Sequence, residues 1–400
     1  MAQGARNTDP PLHEFTNPPP RQGRRILIVA GEASGDLHGA RLAEALRRLD
    51  ERLVLEGMGG RQMEQAGVRL LADASETAVV GGTEVWEKRR VLSAALGRLR
   101  RQLRDARPDL LVCIDFPDFN LLLARLAHRA AIPVCYFISP QVWAWRRWRI
   151  RTIRRLVRKM LVLFPFEETL YRQAGVDVTF VGHPLLDALA AVPPRAACRA
   201  ALGLTPDEPV IGLLPGSRVA ELRRHLPLLL AAAARLRQTR PRLRLLLGLS
   251  PTLPVSQAEP FIRAAGAPVE LVPGRAPELM RAADVLLAVS GTVTLEAAIL
   301  ETPMVIIYRL GWLSALLAWL LVRVRFVGLP NLVAGQEIVP ELIQFAATPQ
   351  RLAAAAAEIL DSPERQATVR ASLAQVRQRL GTPGAAARAA REVLALLPAA

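Results

Sequence analysis

The chain has 400 residues, 51% of them hydrophobic, which is more than one core accommodates and suits two. Its formal charge of +16 and pI near 11.2 imply attraction to a polyanion: nucleic acid, an anionic lipid surface or a phosphorylated substrate. No apolar run reaches the roughly eighteen residues of a membrane-spanning helix, and residues 1–23, with Pro10, Pro11 and Pro18 to Pro20, read as a loose leader without a signal peptide's apolar stretch.

All but two of the basic side chains, Lys88 and Lys159, are arginines. Guanidinium suits bidentate phosphate contacts, although a codon bias toward arginine explains the same count. Cys113 and Cys135 sit inside apolar runs and, with Cys198, read as free thiols of a reducing compartment. No Cys/His cluster has metal-ligand spacing, so neither a metal nor a cofactor is expected.

A β-like run at 25–30 opens the ordered chain, followed by a glycine-bearing turn and a helix through Leu37, Leu42, Leu46 and Leu49. Short apolar runs follow at 53–58, 109–114, 133–138, 159–163 and 178–181, with helical patterns at 85–106, 118–130 and 146–157. This alternation predicts parallel βαβ units. Prolines at 184, 193, 194, 206 and 209 interrupt it, and a second series begins with strands at 210–214, 242–247, 268–272, 284–289 and 304–308. After 335 the pattern is helical. The expected architecture is α/β: two Rossmann-like domains facing a central cleft, the GT-B fold, with a helical C-terminal tail. The expected boundaries are a leader (1–23), an N-terminal acceptor domain (24–185), a linker (186–208), a C-terminal UDP-sugar domain (209–362) and terminal helices (363–400).

In open parallel sheets the ligand sits beyond the carboxyl ends of the strands, so the loops there are the candidates for chemistry. The turn Gly31 to Gly39 carries Glu32 and Asp36, which suit sugar hydroxyls better than a pyrophosphate. Alternatively, Ser34 or Asp36 simply caps the helix. In Ile114-Asp115-Phe-Pro-Asp118-Phe-Asn120, Asp115 ends a buried run and is the candidate general base, while Asp118 reads as a helix cap. Ser139 to Arg149 interleaves tryptophan with arginine, a pattern that stacks bases, anchors at a membrane interface or forms a turn and a solvated helix face.

In the second half, Gly216, Ser217 and Arg218 lie between a strand and a helix, where free amides and a guanidinium make a diphosphate site. Ser290, Gly291 and Thr292 repeat that arrangement, with Glu296 one turn on as a ribose ligand; capping by Ser290 and Thr292 accounts for the same residues. Asn331 reads as a sugar or phosphate ligand or as a turn residue.

Together AGEASGD (30–36), IDFPDFN (114–120), SPQVWAWR (139–146), GHP (182–184), LLPGSR (213–218), SGTVTLE (290–296) and LPNLVAGQE (329–337) resemble the lipid-A-disaccharide synthases, over nearly all the chain from about residue 25. The resemblance implies a metal-independent, inverting transfer. UDP-2,3-diacylglucosamine donates its sugar to 2,3-diacylglucosamine 1-phosphate, giving a β-1,6-linked disaccharide and UDP in lipid A biosynthesis. It implies Asp115 as base, Arg218 on the diphosphate, Glu296 on the ribose, Asn331 in the donor site and Glu32 in the cleft. It further implies a peripheral protein on the cytoplasmic leaflet of an inner membrane, no nucleic-acid partner, and a homodimer exchanging C-terminal parts. The competing readings are a peptidoglycan-lipid N-acetylglucosaminyltransferase, a UDP-sugar epimerase and a non-enzymatic nucleic-acid or membrane-binding protein.

The uncharged stretch 311–322 is too short to span a bilayer. As a helix it sets the small Gly311, Ser314, Ala315 and Ala318 against the large Trp312, Leu316, Trp319 and Leu320, ending at Arg323. The large stripe suits a leaflet or an acyl groove, with Arg323 and Arg325 at the headgroups, or alternatively a buried core or dimer contact.

Overall fold

The computed structural model describes residues 23–74, 85–311 and 325–398. The leader up to residue 22 and the stripe residues Trp312, Leu316, Trp319 and Arg323 lie outside the described residues.

Seven parallel strands form the first sheet, in the order β3-β2-β1-β4-β5-β6-β7. They are β1 (Arg25–Ala30), β2 (Val54–Gly59), β3 (Arg69–Asp73), β4 (Leu110–Ile114), β5 (Val134–Phe137), β6 (Lys159–Val162) and β7 (Val178–Phe180). The central strands are apolar on both faces because helices cover both sides, which is why they read as continuous runs. Helices α1 (Ala33–Leu49), α2 (Arg61–Gln65), α3 (Val85–Asp105), α4 (Pro117–Arg129), α5 (Arg149–Leu156) and α6 (Pro165–Gln173) connect them.

The second sheet is also parallel, ordered β10-β9-β8-β11-β12-β13. Its strands are β8 (Val210–Leu214), β9 (Arg244–Leu249), β10 (Glu270–Pro273), β11 (Val285–Val289), β12 (Met304–Tyr308) and β13 (Glu341–Ile343). Helices α9 (Val219–Thr239), α10 (Glu259–Arg263), α11 (Ala276–Ala282), α12 (Thr292–Ile299), α13 (Leu329–Ala334) and α14 (Pro349–Leu360) belong to this half. The expectation of helix throughout after 335 is corrected by β13, which pairs with β12 through Ile307↔Leu342. Three half-buried residues are too few to show a period of two.

Between the halves, α7 (Leu185–Ala188) and α8 (Arg195–Ala201) are more than a tether: Leu186, Leu189, Cys198 and Leu204 enter the second lobe's core. The chain then crosses back. Helix α15 (Pro363–Arg379) packs Val369, Leu373 and Val376 on the second lobe, whereas α16 (Ala385–Ala395) places Ala389, Ala390 and Val393 in the core of the first. The GHP motif sits at this return. The His183 amide donates to the Leu380 carbonyl at 3.0 Å, and Arg388 donates to the Val181 carbonyl at 2.8 Å.

Candidate active site

Each sheet reverses its strand order once, between β1 and β4 in the first and between β8 and β11 in the second. Such a switch point opens a crevice at the carboxyl edge, because the flanking connections leave to opposite faces. In the first sheet Ala30 pairs with Ile114, so the loops bearing Glu32 and Asp115 emerge side by side. In the second, Ala288 pairs with Leu214, which brings Gly216 to Arg218 beside Ser290 to Thr292.

Asp115 and Phe116 both have left-handed backbones, with φ of 44° and 47°. Two such residues in succession are strained unless their surroundings hold them. Two buried side chains do so from beneath. Asn120 donates Nδ2 to the Asp115 carbonyl at 2.8 Å and to the Ile114 carbonyl at 3.2 Å, and the Tyr136 hydroxyl donates to the Asp115 carbonyl at 2.6 Å. Gly31 completes the fit, since a β-carbon there would overlap the Phe116 ring. Burial, and then the nearby Glu32 charge, raise the Asp115 carboxyl to about 6, opposed by the Phe116 amide. A carboxylate tuned in this way is ionised at neutral pH yet basic enough to accept a hydroxyl proton.

Glu32 is exposed at the N-terminus of α1 and makes no capping bond. Neither Ser34 nor Asp36 caps α1. Asp36 is buried and instead receives the amides of Gly60 (2.7 Å), Gln62 (3.1 Å) and Met63 (3.0 Å), thereby capping α2. Asp118 is no cap either. Pro117 opens α4, which puts Asp118 inside the first turn, where it pairs with Arg146 at 3.2 Å and with Arg149.

In the second lobe a cavity of about 640 Å³ is lined by Gly216, Ser217, Arg218, Ser290, Gly291, Thr292 and Glu296. Gly248 near the end of β9, Ser250 and Gly274, which follow β9 and β10, and Tyr308 at the end of β12 also line it. Those four were not singled out from the sequence, though lying at strand ends was itself the signal. Gly216 has φ of 105°, a conformation that only glycine adopts freely, and it turns the chain from β8 toward α9. Arg218 is the N-cap residue of α9 and its side chain is 81% exposed, available to a ligand.

The amides of this turn are not vacant. The Glu221 carboxylate accepts from Ser217 N–H at 3.0 Å and Arg218 N–H at 3.4 Å, the N3 half of a capping box, which the Arg218 guanidinium cannot reciprocate because it has no acceptor.

Among the described residues no side chain caps α12. Gly291 is its N-cap residue, and Ser290 Oγ donates instead to the Val327 carbonyl at 3.0 Å. The capping explanation for Ser290 and Thr292 therefore falls away, and the first amides of α12 face the cavity uncapped by side chains. Glu296 is half-buried there, and burial raises its carboxyl above the usual range.

Asn331 lies elsewhere. It is fully buried in α13, with Nδ2 donating to the Val339 carbonyl (2.8 Å) and Glu341 Oε1 (2.7 Å) while Oδ1 accepts from Ile338 N–H (2.8 Å) and Val339 N–H (3.1 Å). Both donors and both lone pairs are engaged, so the side chain has no hydrogen-bonding capacity left for a ligand. Glu341 in turn accepts from the amides of Val327 (2.8 Å) and Gly328 (3.0 Å). Through them Asn331 shapes the segment whose Val327 carbonyl holds Ser290 at the cavity rim.

A family model described as lipid-A-disaccharide synthetase matches residues 26–394. The lipid-A-disaccharide synthase of Syntrophus aciditrophicus is 48% identical over 373 residues, covering 93% of this chain and 97% of the relative. That of Myxococcus xanthus is 43% identical over 384 residues, covering 96% and 99%. Among solved structures, UDP-GlcNAc 2-epimerase from Neisseria meningitidis bound to UDP-GlcNAc superposes with a TM-score of 0.57 at 12% identity, covering 93% of this chain and 99% of that one. The calicheamicin glycosyltransferase CalG4 does so with a TM-score of 0.60 at 17% identity, covering 94% and 98%. These likenesses carry the GT-B fold, and the closer sequence relatives carry the family: the chain belongs to the lipid-A-disaccharide synthases.

Proposed function

We propose that the two strand-end clusters together perform lipid A disaccharide synthesis, the reaction of the family to which the chain belongs, with the donor held by the second lobe and the acceptor activated by the first. The observation that carries this division is the repeated switch point: one crevice offers a tuned carboxylate, the other a guanidinium and uncapped amides. UDP-2,3-diacylglucosamine sits in the second-lobe cavity. Its diphosphate lies by Ser217, Arg218 and the first turn of α12 at Thr292, and Glu296 accepts hydrogen bonds from the ribose hydroxyls. The 6-hydroxyl of 2,3-diacylglucosamine 1-phosphate approaches Asp115.

As the hydroxyl oxygen bonds to the donor's anomeric carbon, its proton passes to Asp115 and the bond to the diphosphate breaks. UDP departs with the electron pair, and Arg218 stabilises the charge that develops on it. Attack opposite the leaving group inverts the anomeric centre and gives the β-1,6 linkage. Glu32, beside Asp115, keeps that carboxyl basic. Asn331 acts at a distance, by holding the loop against which Ser290 rests.

Among the described residues no helix is long and apolar enough to cross a membrane. Acylated substrates imply peripheral association with the cytoplasmic leaflet of an inner membrane, and homodimerisation belongs to the same proposal. Incubating the purified protein with both lipid substrates tests the reading. Disaccharide and UDP in equal amounts are expected. Release of UDP without disaccharide, or epimerised UDP-sugar, overturns it.

A further inference from the structure

The segment after β5 carries two exposed indoles inside a belt of arginine. Trp145 is 39% and Trp148 61% exposed. Helix α5 buries Ile153 and Leu156 in the first lobe's core and turns Arg151, Arg154 and Arg155 outward, with Arg147 exposed between the two indoles. The acid of this patch, Asp118, is already paired with Arg146 and Arg149. The Arg146 guanidinium lies 4.2 Å from the centre of the Trp145 ring, which braces the indole in its outward position.

The patch stands on the edge where the chemistry is. Strand β5 neighbours β4, so the loop at 138–148 leaves from the same carboxyl edge as Asp115, and the ion pairs of Asp118 fasten it three residues from that carboxylate. Exposed tryptophan flanked by guanidinium matches the boundary between headgroups and acyl chains, where the ring is apolar at one end and hydrogen-bonds at the other. Arg151, Arg154 and Arg155 on the adjoining helix face, exposed and without an ion pair among the described residues, complement anionic headgroups. Single-stranded nucleic acid would find stacking and charge here as well. On this edge, however, it would lie across the mouth through which an acylated acceptor must enter.

We propose that Trp145, Trp148 and the outer face of α5 form a docking surface that seats the first lobe on an anionic lipid leaflet, with the Asp115 crevice turned toward the lipids. The inference rests on the reading of acylated substrates given above. It is tested by sedimenting the full-length protein with phosphatidylcholine vesicles and with vesicles that also contain phosphatidylglycerol. The protein is compared with W145S/W148S and R151Q/R154Q/R155Q.

The wild type is expected to pellet with the anionic vesicles only, and each variant to partition about tenfold less. Because the altered positions are exposed, melting temperature and turnover on detergent-dispersed substrates should stay at wild-type values, while turnover on vesicle-embedded substrates falls. Variants that pellet like the wild type overturn the proposal. So does loss of detergent turnover together with vesicle binding, which would put the patch in the substrate site, and so does loss of oligonucleotide binding with vesicle binding intact. Failure of the wild type to make disaccharide in detergent would count against the catalytic reading, and the vesicle partition would still decide the docking surface.

Discussion

The Glu221 carboxylate lies 3.0 Å from the backbone nitrogen of Ser217 and so occupies, from within the chain, an amide that a donor diphosphate would use. The same carboxylate is 3.6 Å from the Arg218 guanidinium. A diphosphate entering this turn has to displace a negative charge already seated there, or bind against it.

Replacing Glu221 separates its two roles. Glu221→Gln keeps a capping side chain but removes the charge. UDP should then bind several-fold more tightly in calorimetry, with little change in melting temperature. Glu221→Ala loses the cap as well and should cost about 1 kcal/mol of stability. Weaker UDP binding by the glutamine variant would mean that the carboxylate assists the donor instead of competing with it.

Asp115→Asn should lower kcat by about 10² or more, with KM changed little, since an amide cannot accept the proton. The wild-type profile of kcat/KM against pH should fall on the acid side near 6, where burial and Glu32 place the carboxyl. The base is competent only when ionised, so activity is lost as pH drops through that value. Glu32→Gln removes the repelling charge and should shift this limb to lower pH. A limb unmoved by Glu32→Gln would dissociate the two carboxylates.

Glu167 predicts a stability effect of opposite sense. It is buried beneath Trp143, whose Nε1 donates to it at 3.2 Å, and burial raises its carboxyl to about 8. Between its ordinary value of 4.5 and about 8 the folded protein holds a proton that the unfolded chain has lost. Stability therefore falls as pH rises through that window. Thermal melting at a series of pH values should show the decline in the wild type and a shallower one in Glu167→Gln, which is uncharged throughout.

Asn331→Ala should be destabilising by about 3 kcal/mol, because it strips partners from the buried Val339 amide and carbonyl and from Glu341. Activity should fall together with melting temperature. A variant that melts like the wild type yet binds UDP poorly would assign Asn331 a direct ligand role instead.

What could be read in the sequence follows from the range over which each signal acts. Strand ends, and with them the loops proposed for the chemistry, were legible because β1, β4, β8 and β11 are apolar runs, each stopped by a polar turn. The doubled switch point was not legible, because alternation predicts parallel pairing but leaves the order of the strands in each sheet open. Asp36 was misread as a cap of its own helix because the amides it serves lie 24 to 27 residues away, and Asn331 reads as either ligand or turn residue because its bonds depend on how residues 338 to 341 fold back on its helix. Asp118 was a nearer miss, because Pro117 at the first helical position already marks Phe116 as the boundary residue. Glu221 illustrates a third case. The usual signature pairs an N-cap Ser or Thr with Glu at N3; with Arg218 at the N-cap only the Glu221 half forms, so the signature is absent from the sequence.

Helix α16 has a consequence for biosynthesis. Its Ala389, Ala390 and Val393 cover apolar surface belonging to a sheet whose last strand ended at Phe180. A ribosome must therefore finish the entire second lobe before the first can be sealed, leaving the nascent first lobe with an uncovered apolar flank for some 200 residues of elongation, or about 10 to 40 seconds at ordinary synthesis rates.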